Sequence, residues 1–100
     1  MAHQRCDWQG VYPAAVTPFT KDGALDEQAT RDLIEVFLAD GVHGFISVGS
    51  TGEGFSLSDQ ERVRVFEIYK EQVKGRVPVV AGTSAIGTRE TVALTQAAKD

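Results

Sequence analysis

The sequence predicts an α/β chain built from three parallel strand–loop–helix units. Three observations carry this. Apolar runs begin near residues 11, 44 and 77, a spacing of 33 each time. Each run leads through a polar, glycine-bearing loop into apolar residues at steps of three and four, the mark of an amphipathic helix. No hairpin signal interrupts the order, and strands alternating with helices pair in parallel through right-handed crossovers. A period near 33 also belongs to ankyrin repeats, but their internal pattern is missing and no Thr-Pro-Leu-His stretch is present.

Residues 1–10 read as a polar lead-in that ends at Gly10 and carries Trp8. Residues 11–17 form the first strand, with Pro13 near its start, where proline is tolerated. A loop follows over 18–23, with Asp22-Gly23 as its turn signal. Asp26 is the N-cap of the first helix, and Ala29, Leu33, Val36 and Phe37 mark its apolar face. Gly41 fits the position after the helix, where a positive φ is wanted. Residues 45–48 are the second strand and 49–57 a long loop. Ser58 and Glu61 make a capping box for the second helix, whose apolar face is Val63, Phe66, Tyr69 and Val73. Gly75 closes it. Residues 77–82 are the third strand, again with a proline near the start, and 83–87 a loop. Thr88 is the N-cap of the third helix, which carries Val92, Leu94, Ala97 and Ala98. A three-stranded parallel sheet leaves two apolar edges open, the last helix meets no C-cap glycine or proline, and a closed eight-stranded barrel takes about 250 residues. The expectation is therefore that these are the first three units of something longer: residues 1–10 a lead-in, residues 11–100 the amino-terminal part of a larger barrel domain.

Composition excludes several classes. Of 100 residues, 42% are hydrophobic and 24% charged, a globular rather than a disordered balance. The formal net charge of −4 and the absence of a basic stripe argue against a nucleic-acid surface. No apolar run approaches the roughly 20 residues of a membrane span, and the first ten residues lack the apolar segment of a signal peptide. A single cysteine, Cys6, forms no internal disulfide, so a reducing, cytoplasmic compartment is expected. Cys6 sits in the polar lead-in and is set aside as a nucleophile.

The stretch that carries chemistry is Gly49-Ser50-Thr51-Gly52-Glu53-Gly54, which leaves a buried strand and leads to a helix. Ligands of parallel α/β folds sit at such strand ends. The stretch is neither Gly-x-Gly-x-x-Gly nor a P-loop with its lysine, and Glu53 would repel a phosphate. Two hydroxyl residues between glycines offer backbone N–H and O–H donors to one anion, a nest suited to a small carboxylate. By pattern alone the stretch reads equally as an ordinary tight turn. Glu53 reads as an anchor of the loop to its neighbours. Lys21 falls in a loop, and Lys70, Lys74 and Lys99 on helix surfaces; none ends a strand, and all four read as solvated charges.

Pro13-Ala14-Ala15-Val16-Thr17-Pro18-Phe19, Asp22-Gly23 with Asp26, Gly49-Ser50-Thr51-Gly52-Glu53, and Pro78-Val79-Val80-Ala81-Gly82-Thr83 form a set. From about residue 9 to the end, their order and spacing resemble the dihydrodipicolinate synthase / N-acetylneuraminate lyase family of pyruvate-dependent aldolases. The resemblance implies a TIM (β/α)8 barrel of which this chain covers about the first three βα units, commonly assembled as a homotetramer. It implies a class I lyase that condenses or cleaves pyruvate, or another 2-keto acid, with an aldehyde. A barrel lysine forms a Schiff base with the keto acid, and no metal or organic cofactor is needed. Carried over, Ser50 is a proton relay to a tyrosine and a contact to the keto acid's carboxylate. Thr51 binds that carboxylate through its N–H and hydroxyl. The Schiff-base lysine and relay tyrosine fall on later strands, beyond Asp100; Tyr12 and Tyr69 do not match them, and the 100 residues alone are expected to be inactive.

Within the family the resemblance favours a dihydrodipicolinate synthase-like enzyme. N-acetylneuraminate lyase and 2-keto-3-deoxy sugar-acid aldolase stand beside it, because serine at position 50 is common there and also occurs in many synthases. A non-catalytic keto-acid-binding relative is the alternative of another class, separated by whether a strand-terminal lysine follows. In lysine-inhibited synthases, polar residues after strands two and three bind the effector. The matching positions here look like Asp59, Arg62, Ile86 and Glu90, of which only Glu90 keeps the pattern, so lysine is expected not to inhibit.

Overall fold

The computed structural model describes residues 8–99; Cys6 and most of the lead-in lie outside them. The elements run α1 (Glu27–Ala39), β1 (Phe45–Ser47), a 3-10 turn (Gly54–Ser56), α2 (Asp59–Val73), β2 (Val79–Ala81) and α3 (Thr88–Lys99). β1 and β2 pair in parallel, with Phe45 opposite Val79 and Ser47 opposite Ala81. The ladder continues past both ends, since Phe45 N–H donates to Pro78 O and Gly82 N–H to Ser47 O.

The first expected strand is only partly realised. Residues 11–17 are extended and lie parallel to β1, but they form a single bridge, Ala14 with Ile46. Two bonds tie the pair: Ile46 N–H donates to Pro13 O and Ala15 N–H to Ile46 O, both at 3.0 Å. Pro13 has no N–H to give at one end, and at the other Val48 turns left-handed at φ +58, so the ladder stays short. At the amino end of this segment Val11 N–H donates to His43 Nδ1 at 2.9 Å, and His43 N–H returns to Val11 O. Trp8 stacks at a tilt on Tyr12, ring centroids 5.5 Å apart.

The local signals for the helices hold. Asp26 accepts from Ala29 N–H at 2.9 Å. Ser58 Oγ accepts from Glu61 N–H while Glu61 accepts from Ser58 N–H, closing the capping box. Gly41 takes φ +86 just past α1, where its N–H and that of Val42 satisfy Leu38 O and Phe37 O. After α2 the chain turns left-handed one residue earlier than Gly75, at Lys74. Thr88 is the first residue of α3 rather than its cap, and Thr91 N–H donates to Gly87 O.

The buried faces depart from the apolar count. In α1 the buried residues are Thr30 and Ile34, whereas Val36 is 57% exposed. Thr30 can enter the core because its hydroxyl donates to Asp26 O at 2.8 Å, leaving only its methyl to pack. In α2, Phe66, Tyr69 and Val73 are buried as expected, Val63 is half-buried, and Val65, Ile68 and Arg62 join them. The arc is wide because α1, the sheet and α3 all pack on α2. In α3 Leu94 is buried and Val92 half exposed. Phe45 centres the core, edge-on to Phe37 at 6.1 Å and to Tyr69 at 5.5 Å. Burying a side chain of this size contributes about 1.5–3 kcal/mol.

Ion pairs join α1 to α2 on the outer surface. Arg64 forks onto Glu27 at 2.7 and 2.9 Å, and Arg76 with Gln72 holds Glu35 at 2.6 Å. The hydrogen bond from Arg64 holds the Glu27 carboxyl below its ordinary value, and those from Arg76 and Gln72 do the same for Glu35. A lowered folded-state pKa stabilises above the unfolded value and is lost as pH falls through the folded one. Thermal melts are therefore expected to show stability declining below about pH 4.5. The decline should be shallower in a Glu27→Gln/Glu35→Gln variant and in high salt, because both pairs face solvent. Identical pH profiles for variant and parent would contradict this.

Candidate functional site

β1 ends in an uncommon backbone state. Val48, directly after it, is 3% exposed and has φ +58, a left-handed conformation that costs a β-branched residue about 1–2 kcal/mol. The turn has room because three glycines approach its backbone without a side chain. A methyl on Gly54 would lie 2.6 Å from Val48 O, one on Gly52 would lie 3.1 Å from Val48 Cα, and one on Gly82 would overlap the Val48 carbonyl. Strain of this kind, imposed by the surroundings, is characteristic of functional loops.

Beyond Val48 the loop folds on itself. Glu53 N–H donates to Ser50 O and Gly54 N–H to Gly49 O, both at 3.1 Å. It is also braced from two other elements. Thr17 Oγ1, buried at the end of the first extended segment, donates to Gly52 O at 2.6 Å. Arg62 on α2 donates through Nε to Gly54 O at 2.8 Å. Ser50 and Thr51 are thereby presented exposed on a fixed frame, at the carboxyl end of a parallel strand.

Ser50 lines a concavity of about 210 Å³ with Gly49, Phe55, Arg62, Gly82 and Ser84. Thr51, next in the chain, is outside that lining. Larger hollows of about 570 and 250 Å³ lie along α2 and α3, where Phe66 and Ala98 line both. The larger is a gap in helix packing, and the smaller runs between α2 and the sheet, past Ser47, Val79 and Ala81; neither includes a residue of the 49–54 loop. Glu53 serves the loop through its backbone, in a left-handed conformation, and makes no side-chain capping bond. The expected side-chain anchor is instead supplied by Thr17 and Arg62, neither of which was singled out as a brace from the sequence.

Of the remaining candidates, Lys70 and Lys99 lie on helices as expected, whereas Lys74 is the left-handed cap just past α2. None of Lys21, Lys70, Lys74 and Lys99 stands at a strand end. Tyr69 lies in the core against Phe45, and burial pushes its phenol up to about 12, so it stays protonated at neutral pH. Among the described residues no three His, Cys, Asp or Glu side chains gather as a metal site, and no helix is long and apolar enough to cross a membrane.

A loop bearing two hydroxyls at the carboxyl end of parallel strands, clamped from neighbouring units, stands where folds of the α/β barrel class hold their ligands. The chain belongs to the dihydrodipicolinate synthetase family, whose model matches residues 7–100. An uncharacterized DapA-like lyase of Rhizobium meliloti is 53% identical over 95 residues, covering 95% of this chain and 32% of that protein. A 4-hydroxy-tetrahydrodipicolinate synthase of Syntrophobacter fumaroxidans is 50% identical over 93 residues, again 32% of its length. Among solved structures, the chloride-inhibited dihydrodipicolinate synthase from Acinetobacter baumannii, complexed with pyruvate, superposes with TM-score 0.89 at 40% identity, over 92% of this chain and 32% of that one. N-acetylneuraminate lyase from Mycoplasma synoviae superposes with TM-score 0.85 at 35% identity, over 90% of this chain and 32% of that one. The chain thus spans about a third of the length of these relatives. It corresponds to the first βα units of their TIM (β/α)8 barrel, the fold class the sequence predicted.

Proposed function

We propose that the protein to which these residues belong is a class I, Schiff-base-forming lyase, 4-hydroxy-tetrahydrodipicolinate synthase-like, acting on pyruvate and an aldehyde. The observation that carries this is the clamped 49–54 loop, which offers Ser50 and Thr51 at a strand end in a chain of this family. Residues 11–100 form the amino-terminal part of the catalytic barrel, after a lead-in over 1–10, and the assembly is a cytoplasmic homotetramer. A lysine on a later strand attacks the keto carbon, water leaves, and the protonated imine draws electrons so that an enamine forms. Thr51 holds the keto acid's carboxylate through its N–H and hydroxyl. Ser50 passes a proton between its neighbours, a task that needs position more than acidity. The likeness to a pyruvate-bound synthase favours pyruvate. The likeness to an N-acetylneuraminate lyase, together with serine at position 50, supports cleavage of a sugar keto acid as the second reading.

Intact mass of the full-length protein, with and without pyruvate and borohydride, tests the proposal. A covalent pyruvate adduct is expected; a full-length chain without one would point to a non-catalytic relative. Lysine at millimolar concentration is expected to leave the condensation rate unchanged. Ile86 is fully exposed with no polar atom to offer, and Arg62 is engaged by backbone carbonyls. A several-fold drop in rate would refute this.

A further inference from the structure

Arg62 is 4% exposed, yet its partners are not carboxylates. Nε donates to Gly54 O at 2.8 Å, and Nη1 donates to Ser84 O at 2.6 Å and Gly82 O at 3.4 Å. The guanidinium carbon lies 5.5 Å from the centre of the Phe55 ring. Burying a cation without a counter-ion is costly unless every donor is met. The three acceptors belong to two different loops, the one after β1 and the one after β2. Both loops leave adjacent parallel strands, and each turns carbonyls toward the same spot. A planar fork of donors can hold both sets at one fixed separation; the point charge of a lysine cannot.

Gly54, the first acceptor, is also where the Ser50–Thr51 turn closes, through its N–H to Gly49 O. Moving Gly54 therefore moves the turn. Gly82 presses on Val48 from the other side. We propose that Arg62 is a positioning residue for the keto-acid loop: it sets the 49–54 turn against the 82–85 loop, and so sets the affinity for the keto acid's carboxylate. This rests on the function proposed above. Arg62 acts through the carbonyls of Gly54, Gly82 and Ser84 and touches no reacting group.

The test uses the full-length protein with Arg62→Met and Arg62→Lys. Far-UV circular dichroism establishes that each variant folds. Both are expected to raise the pyruvate KM about tenfold, as a slightly misplaced binding group does, with the aldehyde KM unchanged. Arg62→Lys should not rescue, because one ammonium cannot span both loops. Amide exchange should quicken in residues 49–57 and 82–87 while α1 stays as protected as in the parent. Lowered thermal stability with an unchanged pyruvate KM would overturn the proposal and leave Arg62 a packing residue. If the parent protein forms no borohydride-trapped pyruvate adduct, the functional reading fails separately, and exchange alone decides: unchanged protection of the two loops overturns the coupling. If neither variant folds, exchange in the parent decides, since the proposal requires the hydrogen-bonded amides of Gly54 and Ala85 to open together, and unequal opening overturns it.

Discussion

Thr51→Val in the full-length protein is expected to lower kcat/KM for pyruvate by about 10–100-fold, with most of the loss in KM. The change removes a hydroxyl and keeps the shape, so the loop frame should survive. Thr51 is exposed, and its side chain makes no hydrogen bond that shapes the turn; the frame comes from Thr17, Arg62 and the glycines. A hydrogen bond to a charged group contributes about 1.5–3 kcal/mol, which is the fold-change stated. Ser50→Ala should behave differently. A relay acts while bonds are changing, so its loss should fall mainly on kcat. Steady-state kinetics of both variants, with melting temperatures beside them, check the split. Equal KM values for parent and Thr51→Val would remove Thr51 from the carboxylate site.

Gly82→Ala is expected to destabilise the protein by about 3 kcal/mol or more, a magnitude reached only by overpacking or comparable faults. The added methyl would occupy the space of the Val48 carbonyl and lie 2.9 Å from Gly49 N. Backbone atoms cannot step aside as a flexible side chain can, so either β2 shifts along β1 or the Val48 turn opens. Both outcomes disturb the loop, and activity should fall with stability. Urea unfolding of parent and variant measures the loss. A variant as stable as the parent would mean that the close approach of Gly82 to Val48 is not obligatory.

The punctuation of this fold was legible in the sequence because its causes are local. Asp26, Gly41 and the Ser58–Glu61 box act within a turn of helix, and each stands where it was read. The placement of the loop after β1 was legible for the same reason, with Gly49, Ser50 and Thr51 at the strand's end. Much of what was not legible depends on partners distant in the chain or on polar residues that pack as core. Thr17 looks like the end of a strand until Gly52 O arrives, 35 residues later. Arg62 precedes Val65, Phe66 and Tyr69 by three, four and seven residues, so helical spacing places it on the buried face. Its charge hid this, as the hydroxyl of Thr30 hid the true stripe of α1. Val48 itself carries no signal of its strain, and one of the glycines that make room for it lies as far away as position 82.

The bonds that join the units have a shared scale. Thr17 to Gly52, Arg64 to Glu27 and Ser47 to Val80 span 35, 37 and 33 residues, each about one unit. Contacts of this even, intermediate range let a chain assemble in the order it is synthesised, each unit docking on its predecessor at a similar loop-closure cost. The 49–54 loop does not ripen with its own unit. Gly82 and Ser84, two of the three Arg62 acceptors, belong to the next one, so Ser50 and Thr51 acquire their final geometry only after β2 has docked. A nascent chain that has emerged only as far as α2 would carry the residues of the site without its shape.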